Sequence, residues 1–317
     1  MEENESVNFS VQIVEIDETS AMQRIDNFLI CHLKGVPKSR IYRMLRKGEV
    51  RVNKGRTKAK YRLNNGDIVR IPPVHMVVNE KPSVSNGLLQ KKLGGRILYE
   101  DEHLIVFNKP SGTAVHGGSG LQFGVIEGLR QMRPNDRFLE LVHRLDRDTS
   151  GCLLIAKKRS ALRRLHELFR DDEVSKRYSA LLSGHMQAAT IHVDKPLLKN
   201  IMKGGERMVA VSQNGKRSST FFYAKRKFSM ATLVEVRPKT GRTHQIRVHA
   251  AHIGCPIVGD DRYGNGDVNR KFSQYGLKRL FLHASSLRFK HPATGDDMTA
   301  QAPLDNHLIE LLDKLDV

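Results

Sequence analysis

The chain has 317 residues, 53 Lys and Arg against 34 Asp and Glu, a formal net charge of +19, no Trp and three Cys. This surplus favours a polyanionic partner, because basic side chains displace the counterions condensed on a phosphate backbone. No basic amphipathic segment, lipidation signal or apolar run near the ~18 residues of a membrane span argues for a bilayer, and Cys31, Cys152 and Cys255, far apart and without a CxxC pair, support neither a disulfide framework nor a zinc site. A soluble protein of the reducing cytoplasm is expected, with about two domains on length alone.

Residues 1–21 carry Glu2, Glu3 and Glu5 with no apolar signal core and read as an N-terminal extension. From Met22 to Leu33 the residues Ile25, Phe28, Leu29 and Leu33 fall on one stripe and predict a short amphipathic helix. After Gly35-Val36-Pro37, Ser39 can cap a second helix that turns Ile41, Met44 and Leu45 inward and Arg40, Arg43, Arg46 and Lys47 outward, with Gly48 ending it. Val50 and Val52 before Asn53-Lys54-Gly55, and Asn64-Asn65-Gly66-Asp67 before Ile68 to Ile71, predict strand pairs. Residues 22–73 thus form a small module of two basic helices on a sheet. Such a basic face can be merely solvated, but the two-helix context and the charge surplus favour RNA contact.

Residues 74–95, with Pro82, Ser83, Ser85, Asn86, Gly94 and Gly95, show little periodicity and read as a linker to a second domain over 96–317. There Ile97–Glu100, Leu104–Asn108, Phe138–Val142, Cys152–Lys157, Ala231–Val236 and Phe281–Phe289 predict strands, and Val125–Arg130 and Ser160–Phe169 predict helices. The fold class is α+β, the larger domain mixed and mainly antiparallel.

Between two of these strands lies the polar loop HRLDRDTSG, His143 to Gly151. Reactive groups on a loop held by strands make a common site, and Arg144 and Arg147 flanking Asp146 favour the ionised carboxylate that a nucleophile or base requires. On spacing alone Asp146 reads equally as a loop carboxylate tied up in ion pairs. The run Gly117-Gly118-Ser119-Gly120 with Gly124 lacks both a dinucleotide fingerprint and a P-loop, so it predicts a turn near substrate and no nucleotide cofactor. His244, His249 and His252 have no metal-site spacing and read as structural or RNA-contacting; no metal is expected. Cys152 and Cys255 read as small buried hydrophobes.

HRLDRDTSG resembles the catalytic motif of the large-subunit ribosomal pseudouridine synthase family, and the similarity continues through Ile97–Gly118, KRYSAL (Lys176 to Leu181), TGRTHQIRVH (Thr240 to His249), IVGDDRYG (Ile257 to Gly264) and FLHASSLRF (Phe281 to Phe289). The N-terminal module resembles the S4 RNA-binding domain. The resemblance implies an isomerase acting on large-subunit ribosomal RNA without a cofactor. In it Asp146 is the catalytic carboxylate, Tyr178 stacks on the target base, Arg247 pairs with Asp146, Arg144 enters the RNA stack in place of the flipped uridine, and Leu282 gives the ring an apolar wall. Read without it, Tyr178 and Leu282 are ordinary core residues and Arg144 and Arg247 surface charges. Three other readings stay open on the residues: a non-catalytic S4-type RNA-binding or ribosome-assembly factor, the same isomerisation on transfer RNA, and a glycosylase that releases the base. A monomer is expected.

Overall fold

The computed structural model describes residues 6–18, 20–33, 35–77, 85–117, 123–203 and 206–315. The chain divides into two compact units, Met1–Ser83 and Val84–Val317. Among the described residues no helix is long and apolar enough to cross a membrane.

The first unit runs β1 (Ser6–Phe9), β2 (Gln12–Glu15), α1 (Ile25–His32), α2 (Lys38–Lys47), β3 (Arg51–Val52), β4 (Gly55–Arg56), β5 (Ile68–Ile71) and β6 (Val74–Val77). The strand order β2-β5-β3-β4 makes one antiparallel sheet, and β1 pairs with β6. The stripes expected of the two helices are the ones they bury: Ile25, Leu29, Ile41 and Met44 enclose a core with Val50, Leu63, Val69 and Ile71. Gly48 ends α2 in the left-handed region at φ 69°, and the Glu49 N–H returns to Met44 O at 2.9 Å, as a helix stop of this kind requires. Helix α2 begins one residue before the expected cap, after Pro37, and no side chain caps it. The β3–β4 turn puts both Asn53 (φ 48°) and Lys54 (φ 67°) in left-handed backbone, the geometry that matches strand twist in a two-residue hairpin. Two strands, β1 and β2, lie in the stretch read as an extension, and β2 completes the sheet edge along β5.

The second unit opens with α3 (Asn86–Leu93), within the segment read as a linker. The Ser85 hydroxyl accepts the Leu88 N–H, and Leu89 and Leu93, one turn apart, bury against the helix α4 (Val125–Met132). Two leucines at that spacing are enough for a helix, yet too few to draw a stripe in sequence. There follow β7 (Ile97–Glu100), β8 (Leu104–Lys109), β9 (Glu140–Leu141), β10 (Ser150–Ala156), α5 (Arg159–Arg170), β11 (Ser175–Ser183), β12 (Thr190–Asp194), β13 (Leu197–Lys203), β14 (Glu206–Val211), β15 (Ser219–Lys227) and β16 (Ala231–Pro238). The unit closes with α6 (Gln245–His252), α7 (Gly266–Gln274), β17 (Leu282–Lys290), β18 (Asp297–Gln301) and α8 (Asn306–Leu315). Among the described residues the main sheet has the order β12-β15-β16-β11-β17-β10-β8-β7, with β18 on β17 and β9 on β10, and β13–β14 forms a separate hairpin. The β10–β17 pair is parallel within this otherwise antiparallel sheet. The fold is the mixed, mainly antiparallel α+β class expected.

Strand alternation sorts the core. Along β8 and β10, Ile105, Phe107, Leu153 and Ile155 face α3 and α4, while Leu104, Val106, Cys152 and Leu154 face Leu165 and Leu168 of α5. Toward the other edge Ala180, Leu182, Val234 and Val236 pack on Ile246 and Ala250 of α6, and Leu181 and Phe281 on Phe272 and Leu308 of α7 and α8. Helix α6 is buried nearly all round, which is why no polar face marked it in the sequence.

The β7–β8 turn is fixed by Asp101, whose Oδ1 accepts the N–H groups of His103 (2.7 Å) and Leu104 (2.8 Å) and whose Oδ2 accepts from Tyr99 (3.0 Å) and meets His291 Nε2 (2.8 Å). Burial raises this carboxyl's pKa, but the two N–H groups, the hydroxyl and the ring outweigh burial and hold it at about 2. A folded-state pKa below the unfolded one gives stability that is present above about pH 4 and lost as pH falls toward 2. Asp101→Asn is therefore expected to cost ~2 kcal/mol at pH 7, and urea titrations at several pH values should show the gap from wild type closing near pH 2.

Candidate active site

The loop of residues 142–149 joins β9 to β10, and polar side chains directed into the protein fix its path. His143 points into the protein: its Nε2 accepts the Leu154 N–H at 3.0 Å and its ring stacks on Phe169 at 4.9 Å. Burial pushes its pKa down to about 4, so the ring is neutral with its proton on Nδ1. Lys109, fully buried at the end of β8, donates to the carbonyls of Pro110 (3.0 Å), Thr113 (2.7 Å) and Arg147 (2.9 Å). Burial pushes its ammonium down to about 7, with Asp148 and Asp146 acting in the opposite direction. The Ser111 hydroxyl donates to Asp148 O at 2.7 Å, and the Thr149 N–H closes a turn on Asp146 O at 3.2 Å. At the loop's end Gly151 has φ 106° and lies against Ala284 of β17, so closely that a Cβ there would stand 2.2 Å from the Ala284 carbonyl oxygen.

Asp146 stands where a cleft of about 1180 Å³ meets a smaller pocket of about 120 Å³. The smaller pocket is lined by Asp146, Arg144, Tyr178, Arg247 and Leu282, among others, so five residues from four distant segments share one space. Its volume is far below the ~300–1,000 Å³ of a drug-sized site and suits one planar ring. Tyr178 sits on β11 opposite Val236, and burial first, then the charge of Asp146, raises its hydroxyl's pKa, which keeps it a neutral aromatic surface. Leu282 opens β17 and is buried, whereas Arg144 is exposed at the rim.

The partner of Arg247 differs from expectation. Its guanidinium does not bond Asp146; it grips Asp260 through Nε and Nη2, both at 2.7 Å, and lies over the Tyr263 ring at 5.0 Å. Asp260 is completely enclosed, and its Oδ1 also accepts the N–H groups of Arg262 and Tyr263 at 3.0 Å. An acid with three such donors is the better mate for a buried cation, since both groups then lose water with their hydrogen bonds replaced. Burial lowers the pKa of Arg247, but Asp260 chiefly, and Asp146 after it, raise it by more, so a fixed positive charge stands beside the pocket.

Within 4.0 Å of the Asp146 carboxylate stands His244, its Nε2 at 4.0 Å from Oδ2. In the sequence His244 reads only as structural or RNA-contacting, and Asp260 and Tyr263 carry no assignment. Two lie in the quoted segment IVGDDRYG and one in TGRTHQIRVH, so unusual acid and aromatic content beside Arg247 was the available signal. The histidines close in sequence part company in space: His249 is buried in hydrogen bonds to Thr220, Ser218 and the Lys195 carbonyl, while His244 reaches the pocket. Burial raises the Cys152 thiol to about 11, which makes it a poor nucleophile. Of the glycine run, residues 118–122 lie outside the described residues; Gly117 and Gly124 both donate their N–H to Glu127 Oε2.

On α2 of the first unit Arg43, Arg46 and Lys47 are exposed, and Arg40 is half-buried in an ion pair with Glu49 at 3.1 Å.

A carboxylate on a strand-held loop, a fixed arginine, and aromatic and apolar walls around a ring-sized pocket accompany a clear family match. Residues 103–252 match the RNA pseudouridylate synthase family and residues 23–69 the S4 domain. The chain belongs to the RNA pseudouridylate synthase family. More narrowly, it is 60% identical over 299 residues, 94% of this chain and 93% of the relative, to ribosomal large subunit pseudouridine synthase C of Yersinia pestis. It is 59% identical over 309 residues, 96% of this chain and 97% of the relative, to the protein of that name from Escherichia coli strain K12. Among solved structures, human RNA pseudouridylate synthase domain containing 4 superposes with a TM-score of 0.61 at 27% identity, covering 73% of this chain and 97% of that one.

Proposed function

We propose that the protein isomerises uridines of large-subunit ribosomal RNA to pseudouridine, with Asp146 as the catalytic carboxylate. The observation that carries this reading is the ring-sized pocket bordered at once by Asp146, Tyr178, Arg247 and Leu282. The choice of RNA follows the names of the relatives and agrees with the charge of +19.

The reaction breaks the bond from uracil N1 to ribose C1′, turns the base in place and joins C5 to C1′; the proton lost from C5 is balanced by one gained at N1. Nothing is oxidised and no group is exchanged, so the protein's task is to hold a detached base against the sugar. Tyr178 and Leu282 supply a stacking face and an apolar wall for that base. Arg144, at the rim, is placed to fill the gap left in the RNA when the uridine flips out. Asp146 can act by attack on C1′, by addition to the ring or by removing a sugar proton. Each route needs base and sugar held against one carboxylate, with Arg247 fixed alongside by Asp260. Residues 22–73 act as the S4-type RNA-binding module and residues 96–317 as the catalytic domain.

The test is to incubate the protein with large-subunit ribosomal RNA from a strain lacking it and to map pseudouridine by chemical labelling and primer extension. New stops support the reading. Stops on transfer RNA alone would reassign the substrate, free uracil would mark a glycosylase, and binding with no product a non-catalytic factor. For the S4-type module, the double substitution Arg43→Glu, Arg46→Glu is expected to weaken binding to structured RNA. It should also lower the slope of log K against log salt by ~2, as two lost phosphate contacts require, and unchanged titrations at several salt concentrations would remove α2 from the RNA interface.

A further inference from the structure

His244 is tied at one ring nitrogen into a chain that leads away from the pocket, and its other ring nitrogen faces Asp146. Its Nδ1 lies 2.8 Å from the Tyr263 hydroxyl, and that hydroxyl also accepts the N–H of Val209, on β14, at 3.2 Å. Val209 can only donate, so the arrangement that gives the hydroxyl proton an acceptor sends it to Nδ1 of the histidine. A neutral ring that accepts at Nδ1 carries its own proton on Nε2, the nitrogen 4.0 Å from Asp146 Oδ2. Burial chiefly lowers the pKa of His244, with Asp146 and Asp260 acting against it and Arg247 and Arg262 with it, which favours that neutral form. The residue also holds a backbone that an L-amino acid rarely adopts, φ 52° and ψ 18° at the start of α6, a strain of ~1–3 kcal/mol that the surrounding structure must sustain. Tyr263 is in turn seated by the β13–β14 hairpin, in one apolar cluster with Leu197, Val209 and Val248.

We propose that His244 is a positioning residue for Asp146: Tyr263 fixes the ring as its Nε2–H tautomer, and that N–H orients carboxylate Oδ2, leaving Oδ1 to face the nucleoside. At 4.0 Å the contact is long for a direct hydrogen bond, so it is made through one bridging water or drawn shorter once RNA closes the site. The proposal rests on the assignment of Asp146 above. It adds two residues to the reaction and links the hairpin backbone to the reacting carboxylate in three steps, from Val209 to Tyr263, to His244, to Asp146.

Three variants and one spectrum test it. Tyr263→Phe keeps the ring under Arg247 and removes only the hydroxyl; His244→Gln keeps an N–H donor of similar reach. With ¹⁵N-histidine labelling, the RNA-free wild type is expected to show His244 as the Nε2–H tautomer and Tyr263→Phe a mixture of both. The single-turnover rate should fall about tenfold in Tyr263→Phe, the worth of one hydrogen bond, with RNA affinity unchanged. His244→Gln should retain more activity than His244→Leu, which fills space without donating. An Nδ1–H tautomer in the wild type, a full rate in Tyr263→Phe, or a rate loss with the tautomer unchanged overturns the proposal. Activity in Asp146→Asn would instead bring down the assignment of Asp146, and the spectrum of the RNA-free protein is independent of that result.

Discussion

Replacing Asp146 by Asn is expected to abolish pseudouridine formation, by on the order of 10⁴-fold or more in single-turnover rate, while RNA binding and the folded state persist. Asparagine keeps the shape and loses the charge, the basicity and the nucleophilicity. Little in the fold depends on that charge. His244 approaches the carboxylate only to 4.0 Å, Arg247 is already paired with Asp260, and the loop path is held by the backbone carbonyls of Asp146 and Arg147. Thermal midpoints and RNA titrations run beside the activity assay check this. A variant that makes product would remove Asp146 from the chemistry, and one that unfolds would make it a structural carboxylate.

An equally large effect, on folding, is expected from Gly151→Ala. The new methyl group would stand 2.2 Å from the carbonyl oxygen and 2.8 Å from the nitrogen and carbon of Ala284, in the parallel β10–β17 pair. These are backbone atoms on a central strand and cannot swing aside as a side-chain tip would. Left-handed strain and overpacking together should cost ~4 kcal/mol or more, a large share of the ~5–15 kcal/mol that stabilises a typical protein. Gly254→Ala is the control, because Gly254 has φ 76° with nothing within 4 Å of its added Cβ. Its cost is the backbone strain alone, ~1 kcal/mol. Denaturant midpoints of the two variants compare them, and similar values would mean that β10 and β17 part easily at Gly151.

The parts of the fold visible in the sequence were those whose pattern is local. The stripe Ile25, Phe28, Leu29, the inward trio Ile41, Met44, Leu45 and the stop at Gly48 fall within single helices, and the Asp101-Glu102 turn between two apolar runs needs no distant partner. Elements whose pattern completes only in three dimensions escaped. Helix α3 buries two leucines on α4, β2 has one half-buried face because it is a sheet edge, and α6, buried on nearly every side, spreads Gln245, Arg247 and His249 among its apolar residues so that no stripe stands out. The site divides in the same way. Resemblance named Asp146, Tyr178, Arg144, Arg247 and Leu282, which line one pocket, but their partners depend on turn geometry. Arg247 meets an acid 13 positions on, and His244 reaches a tyrosine 19 positions on because its own backbone turns left-handed.

Lys109 gives the protein a device otherwise obtained from solution. Three backbone carbonyls converge on its amino group much as they would on a potassium ion, but this group is covalently attached and cannot be diluted, exchanged or chelated, and with its pKa brought to about 7 by burial its charge answers to pH instead. At a fixed pH the order of the loop that carries Asp146 is thereby uncoupled from the ionic strength on which grip of a polyanion depends. A salt titration of activity then reports how RNA arrives and leaves, without a second, hidden dependence from the geometry of the loop.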